Sequence, residues 1–248
     1  HYGVAENGFS LALYEYAYSA FFTWGWLRHG NLPGKFIRVP SPLLSKYKGK
    51  HSQKNNKIIL VGTRTWVRSV RIDHSTEPTA AFAYRLAKVR FTRALEKRVI
   101  KRLWYRPYMR GKMDLEDVNF YKREFPEVPI VTKNLHGEML ASSLIVFDHL
   151  GTTLHFAMAM GVPVVCYWNY QDWDITPTAR QYFENLKEVN ILFSNPEDAA
   201  AHINRVVPAI ADWWEGDRVK EVRKNWGDQF SFSKKYWWLD WFRVLRTV

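Results

Sequence analysis

A single cysteine, Cys166, stands among the 248 residues, so no intrachain disulfide can form. A lone thiol inside an apolar run fits a reducing compartment. No stretch reaches the roughly 18 consecutive apolar residues of a membrane-spanning helix. No charged-then-apolar leader is recognisable, and the chain opens at His1 inside a motif-like stretch, so a true N-terminus further upstream is expected. Glycine-rich phosphate loops are missing: there is no Gly-x-Gly-x-x-Gly and no Gly-Lys-Thr. The eight histidines are scattered without paired cysteines, so neither a metal nor another cofactor is expected. No carboxylate pair diagnostic of glycoside hydrolysis stands out. Acidic residues are scarce, 24 against 36 Lys and Arg, which leaves a formal charge of +12. That excess favours an anionic partner.

Aromatic residues are abundant instead, with 12 Trp, 13 Tyr and 15 Phe. Residues 1 to 54 combine "HYGVAENGF" and "FFTWGW" with a Gly-, Pro-, Ser- and Lys-rich stretch that reads as a linker. A strand follows at "KIILVG", ending in "TRTW". Pro78 to Val99 has apolar residues at helical spacing and predicts one helix of about five turns. Further strands are expected at "RLWYRPY", "VPIVT", "LIVF", "PVVCYW" and "NILF". Helices are expected around residues 114–125, at "HGEMLASS", at "TTLHFAMAMG" and at 177–188. Another is expected after the Asn195 cap, with Pro196 at its first position. Short apolar strands without polar alternation, interleaved with helices, predict an α/β fold built on a Rossmann-like doubly wound parallel sheet. It should span residues 55–207, with a Trp-rich helical tail over 208–248.

In such sheets ligands bind beyond the carboxyl ends of the strands. The turn "FDHLGTT" places Gly151, Thr152 and Thr153 at a helix start, where free amides and the helix dipole favour an anion. Thr152 could equally be the N-cap of its own helix. Thr63 and Arg64 follow the first strand, Arg106 and Tyr108 the next, and Asn169 and Asp172 the strand ending at Trp168. A parallel sheet gathers all of these on one edge, and Arg offers a planar fork for phosphate.

The order "HYG", "FFTWGW", "RPY", "FDHLGTT", "GVPVVCYWN", "ARQYFENLKEVNILF" and "PEDAAAHINRV…WW" resembles the bacterial surface-carbohydrate transferases of the GT-B class of glycosyltransferases. The resemblance covers most of the chain and is most specific over residues 144 to 214. It implies two facing Rossmann-like domains, this chain being the C-terminal half that binds a nucleotide sugar. A missing N-terminal domain would then be a partner. It also implies that Thr152 and Thr153 hold the donor phosphate. Arg106 would replace the His of the His-Pro pair that many such enzymes place there. Transferases using cytidine-monophosphate-activated 3-deoxy-manno-octulosonate (CMP-Kdo) are similar in this phosphate arrangement. The resemblance thus implies a bacterial enzyme of polysaccharide biosynthesis, of lipopolysaccharide or capsule, acting at the cytoplasmic side of the membrane on a glycan or lipid-linked acceptor. One departure stands out: Phe156 occupies the position where similar sequences carry a ribose-binding Glu.

Sugar transfer with inversion needs a base for the acceptor hydroxyl and charge stabilisation for the departing phosphate, and cationic side chains with helix amides can supply the second without metal. His1 and Glu6 are the candidates for the base, Glu6 being alternatively a surface carboxylate. His149 reads as ligand, base or plain turn residue. The basic, Trp-rich tail is expected to pack a final helix on the sheet domain; resting on an anionic membrane is the weaker reading. Two rivals remain from other classes. One is a noncatalytic transferase-like scaffold. The other is a nucleic-acid-binding module, disfavoured because the Lys and Arg are spread along the chain and no nucleic-acid motif appears.

Overall fold

The computed structural model describes residues 18–28, 34–63, 78–108, 117–132, 134–168 and 175–247. The elements run β1 (Phe21–Thr23), β2 (Phe36–Arg38), α1 (Pro42–Tyr47), β3 (Ile58–Val61), α2 (Pro78–Arg93), α3 (Lys97–Ile100) and β4 (Leu103–Arg106). They continue with α4 (Asp117–Glu124), α5 (Leu135–Ala141), β5 (Leu144–Phe147), α6 (Thr152–Met160), β6 (Val164–Tyr167), α7 (Pro177–Glu188) and β7 (Leu192–Phe193). Four helices close the chain: α8 (Pro196–Val206), α9 (Ile210–Trp214), α10 (Asp217–Phe230) and α11 (Trp237–Leu245).

The expected α/β architecture is present. A five-stranded, wholly parallel sheet runs in the order β4-β3-β5-β6-β7, and β1 pairs with β2 in a separate parallel pair. Every residue of β3, β5 and β6 is buried, which is why these strands read as unbroken apolar runs. Alternate side chains feed two cores. Ile59, Val61, Ile145, Phe147, Val164 and Cys166 face one, which also takes in Leu44 of α1 and Trp226 of α10. Ile58, Leu60, Leu144, Val146, Val165 and Tyr167 face the other, with Phe91 of α2 and Ile203 of α8. Packing therefore crosses positions 54 and 207. Each large apolar side chain so buried contributes about 1.5–3 kcal/mol.

Three local readings change. The helix expected from Pro78 to Val99 ends at Arg93, and a turn at Ala94–Glu96 separates it from α3. Apolar spacing alone carried no signal for that break. The "VPIVT" segment makes a single parallel bridge, Tyr105 to Ile130, instead of a strand. The "linker" contains α1, whose N-cap Ser41 accepts the amide of Leu44 ahead of Pro42 at the first helical position. The cap at Asn195 is as expected, its Oδ1 accepting the Asp198 amide at 2.8 Å.

Two buried histidines give the fold an acid sensitivity. His155 is fully buried, stacked on Trp226 and joined to the Ser231 hydroxyl at 3.2 Å; burial pushes its pKa down to about 3. Burial, then Arg205, lowers His202 to about 4. Folded-state values below the unfolded value of about 6.5 mean that stability is intact above pH ~6.5 and falls with pH toward these values. His155 alone should remove about 2 kcal/mol between pH 6.5 and pH 5. Urea unfolding at several pH values should show this slope, and His155→Gln should flatten much of it. A pH-independent midpoint over that window would refute the assignment.

Candidate functional site at the carboxyl edge of the sheet

The sheet reverses direction of growth at β3, which lies between β4 and β5, and such a switch point is where open parallel sheets bind ligands. The register aligns Val61 with both Arg106 and Phe147, so Thr63, Arg106, Tyr108, Asp148 and His149 all emerge on one edge. Of the residues expected there, Thr63, Arg106 and Tyr108 thus share one edge. His1, Glu6, Arg64 and Asn169, with Asp172, lie outside the described residues.

Asp148 organises the switch point. Its side chain is fully buried, and Oδ1 accepts the Thr63 amide at 3.0 Å and pairs with His149 Nδ1 at 2.7 Å. A carboxylate can only accept, so Nδ1 carries the proton and Nε2 is left for the open side. The imidazole lies against Gly151: a Cβ on Gly151 would stand 3.1 Å from Nε2 and Cδ2. Glycine keeps that approach open.

Behind Asp148 sits a buried cation. Lys88 of α2 is fully enclosed, with Nζ 3.5 Å from Asp148 Oδ2 and 2.5 Å from Asp117 Oδ2. Tyr105 donates its hydroxyl to Asp117, and Arg85 donates Nε to it at 3.1 Å. Burial by itself would raise the Asp117 pKa, but Lys88, Tyr105 and Arg85 together hold it below the usual carboxylate range. The Tyr105 hydroxyl also explains Gly62: a Cβ there would lie 2.6 Å from it. Asp148, Lys88 and Asp117 were not picked out from the sequence as site residues. A lysine on an amphipathic helix looks like any solvated charge, and nothing local marks its partners.

Helix α6 begins here. Gly151 is its N-cap and makes no side-chain cap; Thr152, read as a possible N-cap, is instead the first helical residue. The correction follows from the extended backbone of Gly151, which already occupies the cap position. Helices α1, α5, α7 and α8 all have a capping side chain on their first-turn amides, from Ser41, Asn134, Thr176 and Asn195. At α6, as at α3, α9, α10 and α11, there is no side-chain cap among the described residues; the amides of Thr152 and Thr153 open onto the edge, with Thr152 exposed and Thr153 half-buried. Arg106 is half-buried and donates Nη1 to the Val131 carbonyl at 3.0 Å, leaving its other donors uncommitted among the described residues. Tyr108 is exposed.

Phe156 turns away from this edge. It is buried, its ring 4.5 Å from His136 and 6.1 Å from Tyr47. It offers no hydrogen bond to a ribose. A cleft of about 410 Å³ opens further along the edge, between α2 and the ends of β5, β6 and β7, lined among others by Tyr84, Asp148, Tyr167, Ser194 and Asn195. Among the described residues, the Tyr167 hydroxyl and Asp148 Oδ2 are buried without hydrogen-bond partners. Burial, then Asp148, raises the Tyr167 pKa, so that hydroxyl stays protonated.

Residues 1–245 match the family model described as LIC12162 family transferase. No curated protein matches the sequence. Among solved structures, a mutant O-GlcNAc transferase of Thermobaculum terrenum is similar with a TM-score of 0.44 and 14% identity, over 91% of this chain and 44% of that one. The chain thus spans less than half the length of that transferase. A match that runs through the whole sheet makes the conclusion plain: the chain belongs to the LIC12162 family of transferases.

Proposed function

We propose that the chain is the nucleotide-sugar-binding half of a GT-B-type glycosyltransferase, moving a sugar from a nucleotide-activated donor to a surface-polysaccharide or lipid-linked glycan acceptor at the cytoplasmic side of the membrane. A CMP-linked keto-acid sugar is the donor class suggested by the similarity of this phosphate arrangement to CMP-Kdo transferases, while Phe156 speaks against the acidic ribose contact of related patterns. The observation that carries the reading is the uncapped N-terminus of α6 at the switch point, beside a histidine whose tautomer Asp148 fixes.

In this reading the donor phosphate seats on the Thr152 and Thr153 amides, with Thr63 and the Arg106 guanidinium around it. The bond between the sugar's anomeric carbon and the phosphate oxygen breaks, and the acceptor oxygen takes the carbon. The acceptor proton passes to a base, for which Glu6 and His1 are the candidates. Charge on the departing phosphate grows in the transition state, so the helix amides and Arg106 stabilise that state more than the ground state, with no metal required. The missing N-terminal half would supply the acceptor side.

A thermal-shift panel of CMP, CDP, UMP, UDP, GDP and ADP tests the site. One nucleotide at about a hundred times its dissociation constant should add roughly 2.7 kcal/mol of stability. Arg106→Ala with Thr152→Ala should abolish that shift, and CMP as the active nucleotide would support the keto-acid donor. No shift with any nucleotide would refute the phosphate site and favour the noncatalytic scaffold.

A further inference from the structure

Helix α11 is the one part of the tail that sequence alone assigned to packing and the structure leaves largely outside. Trp214 and Trp226 are buried in the sheet domain, but α11 has no buried residue. One side of it rests on the body: Trp241 donates Nε1 to the Pro40 carbonyl at 2.8 Å, and its ring lies 5.0 Å from Phe22. Helical spacing sets Trp238, Phe242 and Leu245 on another side, where they are 54%, 58% and 60% exposed. Arg243 and Arg246 flank this stripe, and Lys234 and Lys235 precede it. Among the described residues Lys235, Arg243 and Arg246 have no acidic partner, while Lys234 pairs with Asp240 at 3.1 Å.

A second feature adjoins it through the chain. A pocket of about 260 Å³ is lined by Lys48, Lys220, Arg223, Lys224, Ser231 and Ser233 among others. Lys48 donates to the Ser233 carbonyl at 2.7 Å, and Lys234, the next residue, donates its amide to Ser45 of α1. The pocket's wall therefore continues directly into the lysines that lead α11, which itself packs on α1. Asp228 is the acidic residue in that lining, with Arg38 3.7 Å from it, and Glu215 pairs from outside the lining with Lys220 at 3.5 Å and Arg223 at 3.3 Å, leaving Lys224 without an acidic partner among the described residues.

We propose that α11 and the adjoining cationic pocket form a docking surface for an anionic phospholipid bilayer: Trp238, Phe242 and Leu245 enter the headgroup boundary while Lys220, Lys224 and the tail cations meet lipid phosphates. The charge decides between occupants. An apolar stripe alone would suit any hydrophobic partner, but a stripe bordered by unpaired cations, on a chain of formal charge +12, matches a negatively charged surface. A second copy of the same chain would bring these like charges together. The helix is about 14 Å long by its nine residues, so it can lie in the interface but not cross it. Among the described residues no helix is long and apolar enough to cross a membrane. This surface is independent of the sugar-transfer reading.

Vesicle co-sedimentation tests it, using neutral phosphatidylcholine vesicles and vesicles with about 30 mol% phosphatidylglycerol. The chain should bind the anionic vesicles at least tenfold more tightly, and binding should fall steeply with added salt. Trp238→Glu with Phe242→Glu, both at exposed positions, should abolish binding while keeping the unfolding midpoint and any nucleotide shift. Lys220→Glu with Lys224→Glu should weaken it by roughly fivefold per charge. Free inorganic phosphate at millimolar level should not compete if the bilayer is the ligand; full competition would overturn the docking surface. So would the absence of anionic-vesicle binding, or binding unchanged in the Glu double variant. A dimer that this variant dissociates, without vesicle binding, would assign the face to a second copy instead. Binding by the chain but not by a longer protein carrying it would mean the face is covered there, and would equally overturn the proposal.

Discussion

Replacing Lys88 by methionine should cost about 3–5 kcal/mol of stability. Methionine keeps the length and most of the volume of lysine, so packing changes little and the loss reports the charge. Two carboxylates are then left facing each other without their cation: Asp117, and Asp148 whose side chain is fully buried. Tyr105 and Arg85 still serve Asp117, so the loss should concentrate on Asp148, whose Oδ2 has no hydrogen bond among the described residues. Urea unfolding should show a lower midpoint with an unchanged slope. Adding Asp148→Asn should recover part of the loss, because the second substitution removes the uncompensated charge. A cost under about 1 kcal/mol would show that the pair stabilises the fold no more than an exposed one does. The depressed pKa of Asp117 carries its own sign: its contribution is present above the unfolded carboxylate range and disappears as pH falls through the folded value.

His149→Ala should lower the rate of sugar transfer by roughly a hundredfold or more, the range expected for losing a positioned proton donor or acceptor. The structure gives the residue the two properties this role requires. Asp148 fixes the proton on Nδ1, and glycine at position 151 leaves Nε2 next to the start of α6. Nucleotide binding should persist, because the Thr152 and Thr153 amides and Arg106 remain. Measuring kcat against the thermal shift of the preferred nucleotide separates the roles. Loss of rate with the shift retained supports a chemical role, whereas loss of both makes His149 a ligand. A rate within threefold of the parent would remove it from the mechanism. The measurement belongs on whichever protein, this chain or a longer one carrying it, shows transfer.

The two experiments probe one assembly from opposite sides. Lys88 acts from the interior on Asp148, and Asp148 holds both Thr63 and His149 at the edge. The network ties together two adjacent strand ends at the switch point, the spacing on which the proposed phosphate seat at α6 depends. A buried ion pair is a weak source of net stability, and its use here is better understood as fixing geometry.

Much of this was legible in the sequence. Strands β3, β5 and β6 announce themselves because a strand buried on both faces has no polar alternation to confuse with a helix. The Asn195-Pro196 start and the Gly161 end of α6 are equally local, the latter because its φ of 81° suits glycine and ends the helix ahead of Pro163. The Gly-Thr-Thr turn is local in the same sense, because turn chemistry is written in neighbouring residues: Gly151 caps α6 and Thr152 opens it. Local pattern therefore determined the sheet and most of its helices.

Tertiary structure decided the rest. Lys88, Asp117 and Asp148 lie far apart in sequence and meet only when α2 and α4 fold over one face of the sheet, so no spacing rule could pair them. The sequence stretch read as a linker hides α1, because its stability comes from Leu44 in the core and not from length or periodicity. The Trp residues of the tail look alike in sequence, yet Trp226 is buried and Trp238 is half-exposed, since burial depends on which side of a helix meets the body. Composition and local pattern set what each segment is. Which charges are paired, and which apolar face stays open, is settled only by long-range packing.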